Sequence, residues 1–293
     1  GERREREPMN ALSLSRYRDA VQLDEPYAGP ARSEAMSPSA VLDALRGERP
    51  EAEPLAARLE RAGETPEVVI QALLTTRPPL PLSPSLDGAL AVLHARWAAG
   101  RPWVRVEDLH ARVERPGGAE LVLWRGDITT LRADAIVNAA NSEMLGCFLP
   151  QHACIDNAIH RVAGPRLRLD CATIMGLQGQ SEPTGACKAT RGHHLPARFV
   201  LHTVGPVVRG ALTDRHRADL ASSYVSCLET AAQLSGVRSV AFCAISTGVF
   251  GYPSGPAAGL ALEVVHAWLE RHPGSLDRVI FDVFSAADEQ TYT

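Results

Sequence analysis

The chain has 293 residues, of which 45% are apolar and 22% charged, with a formal net charge of -4. That length allows one or two domains, and the composition excludes disorder of the whole chain. The small negative charge gives no general attraction to nucleic acid or anionic membranes, and no apolar run approaches the roughly 20 residues of a membrane helix.

Residues 1–35 are polar and lack a sustained apolar period. They read as a flexible leader, and without an apolar h-region they do not read as a secretory signal. The cysteines are Cys147, Cys154, Cys171, Cys187, Cys227 and Cys243, too sparse for a disulfide framework in a chain of this length. A reducing cytoplasm is the expected location. Residues 36–116 carry short apolar stripes at helical spacing: Val41, Leu42 and Leu45, then Leu55 and Leu59, then Val69, Leu73 and Leu74, then Leu86, Leu90, Leu93 and Trp97. Ser37 or Ser39 is a candidate cap beside Pro38, and "RPPLPLSP" interrupts the pattern because proline cannot continue a helix. This region reads as a helical extension of three or four short helices.

The pattern changes after Gly117-Gly118. "ELVLW", "AIVNAA", "FVLHTV", "VAFCAIS" and "RVIFDVF" read as buried strands, with helices at about 155–163, 217–235 and 256–271 between them. Such alternation predicts an α/β domain over 117–293 with a largely parallel sheet, and ligands bind such sheets at the carboxyl ends of strands.

The loops at those ends carry the chemistry. Asp127, in "RGDITT", is either an N-cap or an acceptor for the exocyclic amine of a bound base. Asn138 and Asn141, in "NAAN", serve turn chemistry or recognise hydroxyls. "STGVFGYPSGP" leads glycine-rich backbone into a helix N-terminus, which suits an anion. It is neither a Walker loop nor a G-x-G-x-x-G fingerprint.

"GCFLPQHAC" places Cys147, His152 and Cys154 in one loop. Three ligands with one open position is the arrangement of a catalytic zinc. Packing of small residues is the plainer alternative, and a nucleophilic cysteine with His152 acting on Cys154 is another.

Together, "GDITTLRADAIVNAANS", "IDNAIHRVAG", "EPTGACKATRGHHLPARFVLHTVGP" and "AISTGVFGYPSGPAA" resemble the macrodomain family, in the same order from about residue 119 to 289. "GCFLPQHAC" stands where most macrodomains have glycines, which resembles the zinc-dependent subgroup of protein-ADP-ribose hydrolases. The resemblance implies a three-layer α/β/α macrodomain with a mixed, largely parallel sheet behind a small all-helical extension. It implies zinc on Cys147, His152 and Cys154, and a hydrolase removing mono-ADP-ribose from acidic side chains of proteins. A non-catalytic ADP-ribose reader with a structural zinc is the alternative. Asp127 and Ile128 match the adenine-reading pair, and Asn138 and Asn141 match residues at the distal ribose. Ser246, Thr247, Gly248, Val249, Phe250, Gly251 and Tyr252 match the diphosphate loop. Phe284 matches an aromatic packed on the adenine or its ribose. Asp156 matches an acidic position implicated in catalysis, alongside Asn141. The implied partners are ADP-ribose and a modified protein, with a lipoyl-carrier-type protein as the suggested substrate.

Overall fold

The computed structural model describes residues 11–29, 36–110 and 114–292. The first helix, α1, is Leu14–Tyr17. Four more form the extension: α2 (Pro38–Gly47), α3 (Ala52–Arg61), α4 (Pro66–Thr76) and α5 (Pro84–Ala99). Three of these start on one local code. The side chains of Ser37, Thr65 and Ser83 accept the backbone N–H groups of Ala40, Val68 and Leu86, and a proline whose missing N–H costs nothing follows each cap. The apolar stripes then bury Val41, Leu45, Val69, Ile70, Leu73, Leu86, Leu90 and Leu93 in one cluster.

A short strand, β1 (Val104–Arg105), pairs parallel with β3 (Leu131–Arg132). The main sheet contains β2 (Glu120–Arg125), β4 (Ala135–Ala139), β5 (Cys187–Arg191), β6 (Phe199–Thr203), β7 (Ser239–Phe242) and β8 (Arg278–Val283), in the order β2-β8-β7-β4-β6-β5. All neighbours are parallel except β5, which runs antiparallel to β6. The helices α6 (Ile155–Ala163), α7 (Pro165–Gln178), α8 (Asp214–Ala232), α9 (Ser254–Arg271) and α10 (Ala286–Thr291) complete the chain. The sheet is mixed and mostly parallel, as expected. Its strands read as apolar runs because their side chains are buried on both faces. Among the described residues no helix is long and apolar enough to cross a membrane.

Two stretches depart from the expectation. The flexible-leader reading does not hold over residues 11–29, while residues 1–10 and 30–35 lie outside the described residues. Leu14, Tyr17, Val21 and Leu23 join the main core, and the Tyr17 hydroxyl accepts the Ala189 N–H of edge strand β5 at 2.8 Å. Here four apolar side chains, too few to make a helical period, cover a sheet edge. The polar-looking "CKATR" is that edge strand. Its Lys188 Nζ lies 2.7 Å from Glu182 Oε2, and both side chains are fully buried.

Candidate functional site

The loop between β4 and α6 holds the three ligand candidates. The ligand atoms of Cys147, His152 and Cys154 all lie within 4.8 Å of one another, and Cys147 Sγ is 3.6 Å from His152 Nδ1. Cys147 and Cys154 are half-buried and His152 is exposed, so the three face the surface and are not core. The loop is shaped by its neighbours. Asn157 Nδ2 donates to the carbonyls of Leu149 and His152 at 3.1 and 2.9 Å. Cys154 Sγ accepts the Asn157 N–H at 3.3 Å and caps α6. Gly146 adopts φ +84°, and a Cβ there would sit 2.9 Å from the His160 ring, so both the turn and the close approach require glycine. Two thiols and an imidazole suit zinc. Burial, with Cys147 beside it, pushes the Cys154 thiol up to about 11. Two sulfurs this close do not share negative charge readily unless a cation stands between them.

Asp156, two residues beyond Cys154, is buried, and burial raises its carboxyl to about 6. Its Oδ1 accepts the Asn138 amide at 2.8 Å and lies 3.5 Å from His160 Nε2. Asn138 corrects the reading of it as a ribose contact. It is completely buried, and its Nδ2 lies 3.1 Å from His202 Nδ1, so it stands behind Asp156 rather than on a wall of the cleft. Asn141 is half-exposed. It accepts the Glu143 N–H at 3.1 Å and reaches the Gly146 carbonyl at 3.3 Å, which ties the strand end to the loop of the three ligand candidates.

At the other end of the crevice, Asp127 is a cap: its Oδ1 accepts Thr129 N–H at 2.9 Å, opening the turn Ile128–Thr130. Its Oδ2 meets Arg101 Nη2 at 2.8 Å, and the side chain is still 51% exposed, so it remains open to a ligand. The Ile128 side chain is core, which leaves its main chain for the site. Phe284 ends β8 with 87% of its surface exposed. Val249 is similarly open, and Thr247, Gly248, Phe250 and Gly251 lie on the same exposed or half-exposed turn. Ser246 and Tyr252 differ: both side chains are buried. Ser246 holds φ 65° against Gly205, where a Cβ would meet Ser246 Oγ at 2.0 Å. These two residues shape the loop, and its backbone is the part open to a ligand.

The macro domain model matches residues 137–261. The chain is 53% identical over 176 residues to a protein-ADP-ribose hydrolase of Treponema medium, covering 60% of this chain and 67% of that one. It is 45% identical over 221 residues to a protein-ADP-ribose hydrolase of Staphylococcus aureus strain Mu50, covering 75% and 80%. The chain belongs to the macrodomain family. Among solved structures, the Trypanosoma brucei macrodomain in complex with ADP-ribose superposes with a TM-score of 0.59 at 36% identity, covering 78% of this chain and 94% of that one.

Several residues of this macrodomain site escaped sequence reasoning. Asn157, His160 and Arg168 look like ordinary helix residues, and their long-range partners have no sequence signal. His160, Cys171 and His202 form a second, fully buried cluster with ligand atoms within 4.8 Å. Its His202 is already engaged by protein partners: an amide nitrogen only donates, so Nδ1 accepts from Asn138, and Nε2 faces Thr190 Oγ1 at 2.9 Å and Cys171 Sγ at 3.9 Å. Asp282 is the other missed group. Burial and the Asp127 carboxylate push it up to about 8, so it is neutral beside Asp127.

Proposed function

We propose that this macrodomain is a zinc-dependent protein-ADP-ribose hydrolase that removes mono-ADP-ribose from acidic side chains. The observation that carries the reading is the pairing of the Cys147–His152–Cys154 donor set with Asp156, two residues farther along the same turn into α6. Identity of 45–53% to relatives named as protein-ADP-ribose hydrolases supports the reaction class.

Cys147, His152 and Cys154 would hold the zinc, which supplies Lewis-acid charge beside the distal ribose when bound. The remaining work falls to the chain itself. Asp127 accepts the adenine amine through Oδ2, and Phe284 packs on the purine. The backbone of residues 247–251 faces the diphosphate ahead of α9, whose free N–H groups favour an anion. Asn141 holds a ribose hydroxyl, which fixes the anomeric carbon relative to the loop. Hydrolysis divides water across the ester bond, the hydroxyl going to one fragment and a proton to the other. Asp156 takes the water's proton, and a carboxyl with its pKa near 6 is poised for that exchange at neutral pH. A lipoyl-carrier-type protein is the substrate that family resemblance favours.

The test is single-turnover release of ADP-ribose from a protein modified on glutamate. Release by the zinc-loaded protein, lost on chelation and restored by zinc, supports the proposal. Tight ADP-ribose binding without release at any zinc level overturns it in favour of a reader module.

A further inference from the structure

The polar group behind the site is more ordered than burial alone requires. Asn138 of β4 and His202 of β6 are register partners on adjacent parallel strands. Asn138, His202 and Thr190 are all completely buried. The chain of contacts runs from Thr190 Oγ1 to His202 Nε2 at 2.9 Å, from His202 Nδ1 to Asn138 Nδ2 at 3.1 Å, and from Asn138 Nδ2 to Asp156 Oδ1 at 2.8 Å.

Each link restricts the next. Burial lowers His202 to about 3, so the ring is neutral and carries one N–H. The Asn138 amide nitrogen can only donate, so Nδ1 is the acceptor and the ring proton sits on Nε2, where the Thr190 hydroxyl accepts it. The acceptor then takes one proton of the Asn138 amide, and the second points at Asp156. The opposite tautomer would require Asn138 to turn its carbonyl oxygen toward His202, and therefore toward the Asp156 carboxylate. Two oxygens without a proton between them repel. The ring tautomer therefore determines whether Asp156 is held by a donor or pushed away.

We propose that His202 is a positioning residue for the hydrolase: its Nδ1 accepts one proton of the Asn138 amide and so orients Asn138 to hold the Asp156 carboxylate in place with the other. This rests on the reading of Asp156 as the proton acceptor. His202 touches no ligand and acts only through Asn138.

The experiment compares His202→Leu, His202→Asn and Thr190→Val in the full, zinc-loaded chain. His202→Leu removes the acceptor, and kcat falls by about 10²-fold, the cost of misplacing a reacting group by an ångström. Its affinity for ADP-ribose stays within about threefold, because uniform binding does not pass through Asp156. His202→Asn keeps an oxygen where Nδ1 stood, and it retains most of the lost kcat. Thr190→Val is nearly isosteric and strands the buried Nε2–H, which favours the other tautomer. In ¹⁵N spectra the wild-type ring shows Nε2 protonated, and the valine variant shows a shifted tautomer ratio with reduced kcat.

An unchanged kcat in folded His202→Leu overturns the proposal, and so does a wild-type ring protonated on Nδ1. If His202→Leu does not fold, Thr190→Val and the ring spectrum decide. Asp156→Asn is measured in parallel. Full activity there sinks the role of Asp156 itself, whereas an inactive Asp156→Asn beside an active His202→Leu sinks the relay alone.

Discussion

Arg168 Nε donates to the Leu145 carbonyl at 2.7 Å, at the start of the loop that carries Cys147, His152 and Cys154. The same guanidinium reaches the Cys147 carbonyl and sits 4.0 Å from the Phe148 ring centroid. Its Nη1 turns the other way, to the Leu74, Thr75 and Arg77 carbonyls at the C-terminal end of α4. Those carbonyls lie at a helix end, where a cation is favoured, and the Leu74 carbonyl also takes the Arg77 N–H. One buried side chain therefore ties the helical extension to the loop that holds the metal donors.

Arg168→Met is expected to strand these acceptors and to destabilise the protein by roughly 3 kcal/mol, read from urea unfolding. Zinc affinity falls by about tenfold or more, as for loss of an outer-shell partner. Arg168→Lys retains charge but cannot span both sets of carbonyls, so it falls between the two. Equal zinc affinity in all three proteins would show that the loop holds itself.

Cys154→Ala removes a metal donor and the sulfur cap of α6 together. Elemental analysis is expected to find zinc at background and hydrolysis abolished. The lost cap costs about 1 kcal/mol, so circular dichroism still shows the native helix content.

Asp127 is read as the acceptor for the adenine amine. Replacing that amine by a carbonyl, as in an inosine analogue of ADP-ribose, weakens binding by about tenfold or more, the worth of a hydrogen bond to a charged group. In Asp127→Ala, calorimetry finds the two ligands equal. Arg101→Ala changes stability by less than about 1 kcal/mol, because its pair with Asp127 is half exposed.

Acid should destabilise the fold through buried neutral histidines. Burial, with stacked His194 opposing charge, lowers His94 to about 3, and burial lowers His202 likewise. An unfolded histidine titrates near 6.5, so below that pH the unfolded chain takes protons that the native state refuses. The histidine contribution is full above about pH 6.5 and falls as pH drops, by about 1.4 kcal/mol per pH unit for each histidine down to roughly pH 4, while the raised carboxyls of Asp156 and Asp282 work in the opposite sense. Urea midpoints at pH 7, 6 and 5 measure the slope. His94→Gln flattens it by one histidine's share.

By itself the sequence determined what repeats or lies close along the chain. Strand runs, helix stripes, the proline-marked caps and the spacing of Cys147, His152 and Cys154 were all legible, because periods of 2 and 3.6 and the span of one loop are local quantities. Tertiary structure alone decided the rest. Lys188, the single lysine, has no local signal for its role, yet it is a buried charge that needs Glu182. Asn138 looked like a wall of the cleft, yet pairing of β4 with β6 turns it toward His202. Tyr17, in an unremarkable leader, covers the edge of β5. Each depends on a partner far away in sequence, and no local pattern records which buried polar groups will meet, because their mutual satisfaction is set by the packing of the whole sheet.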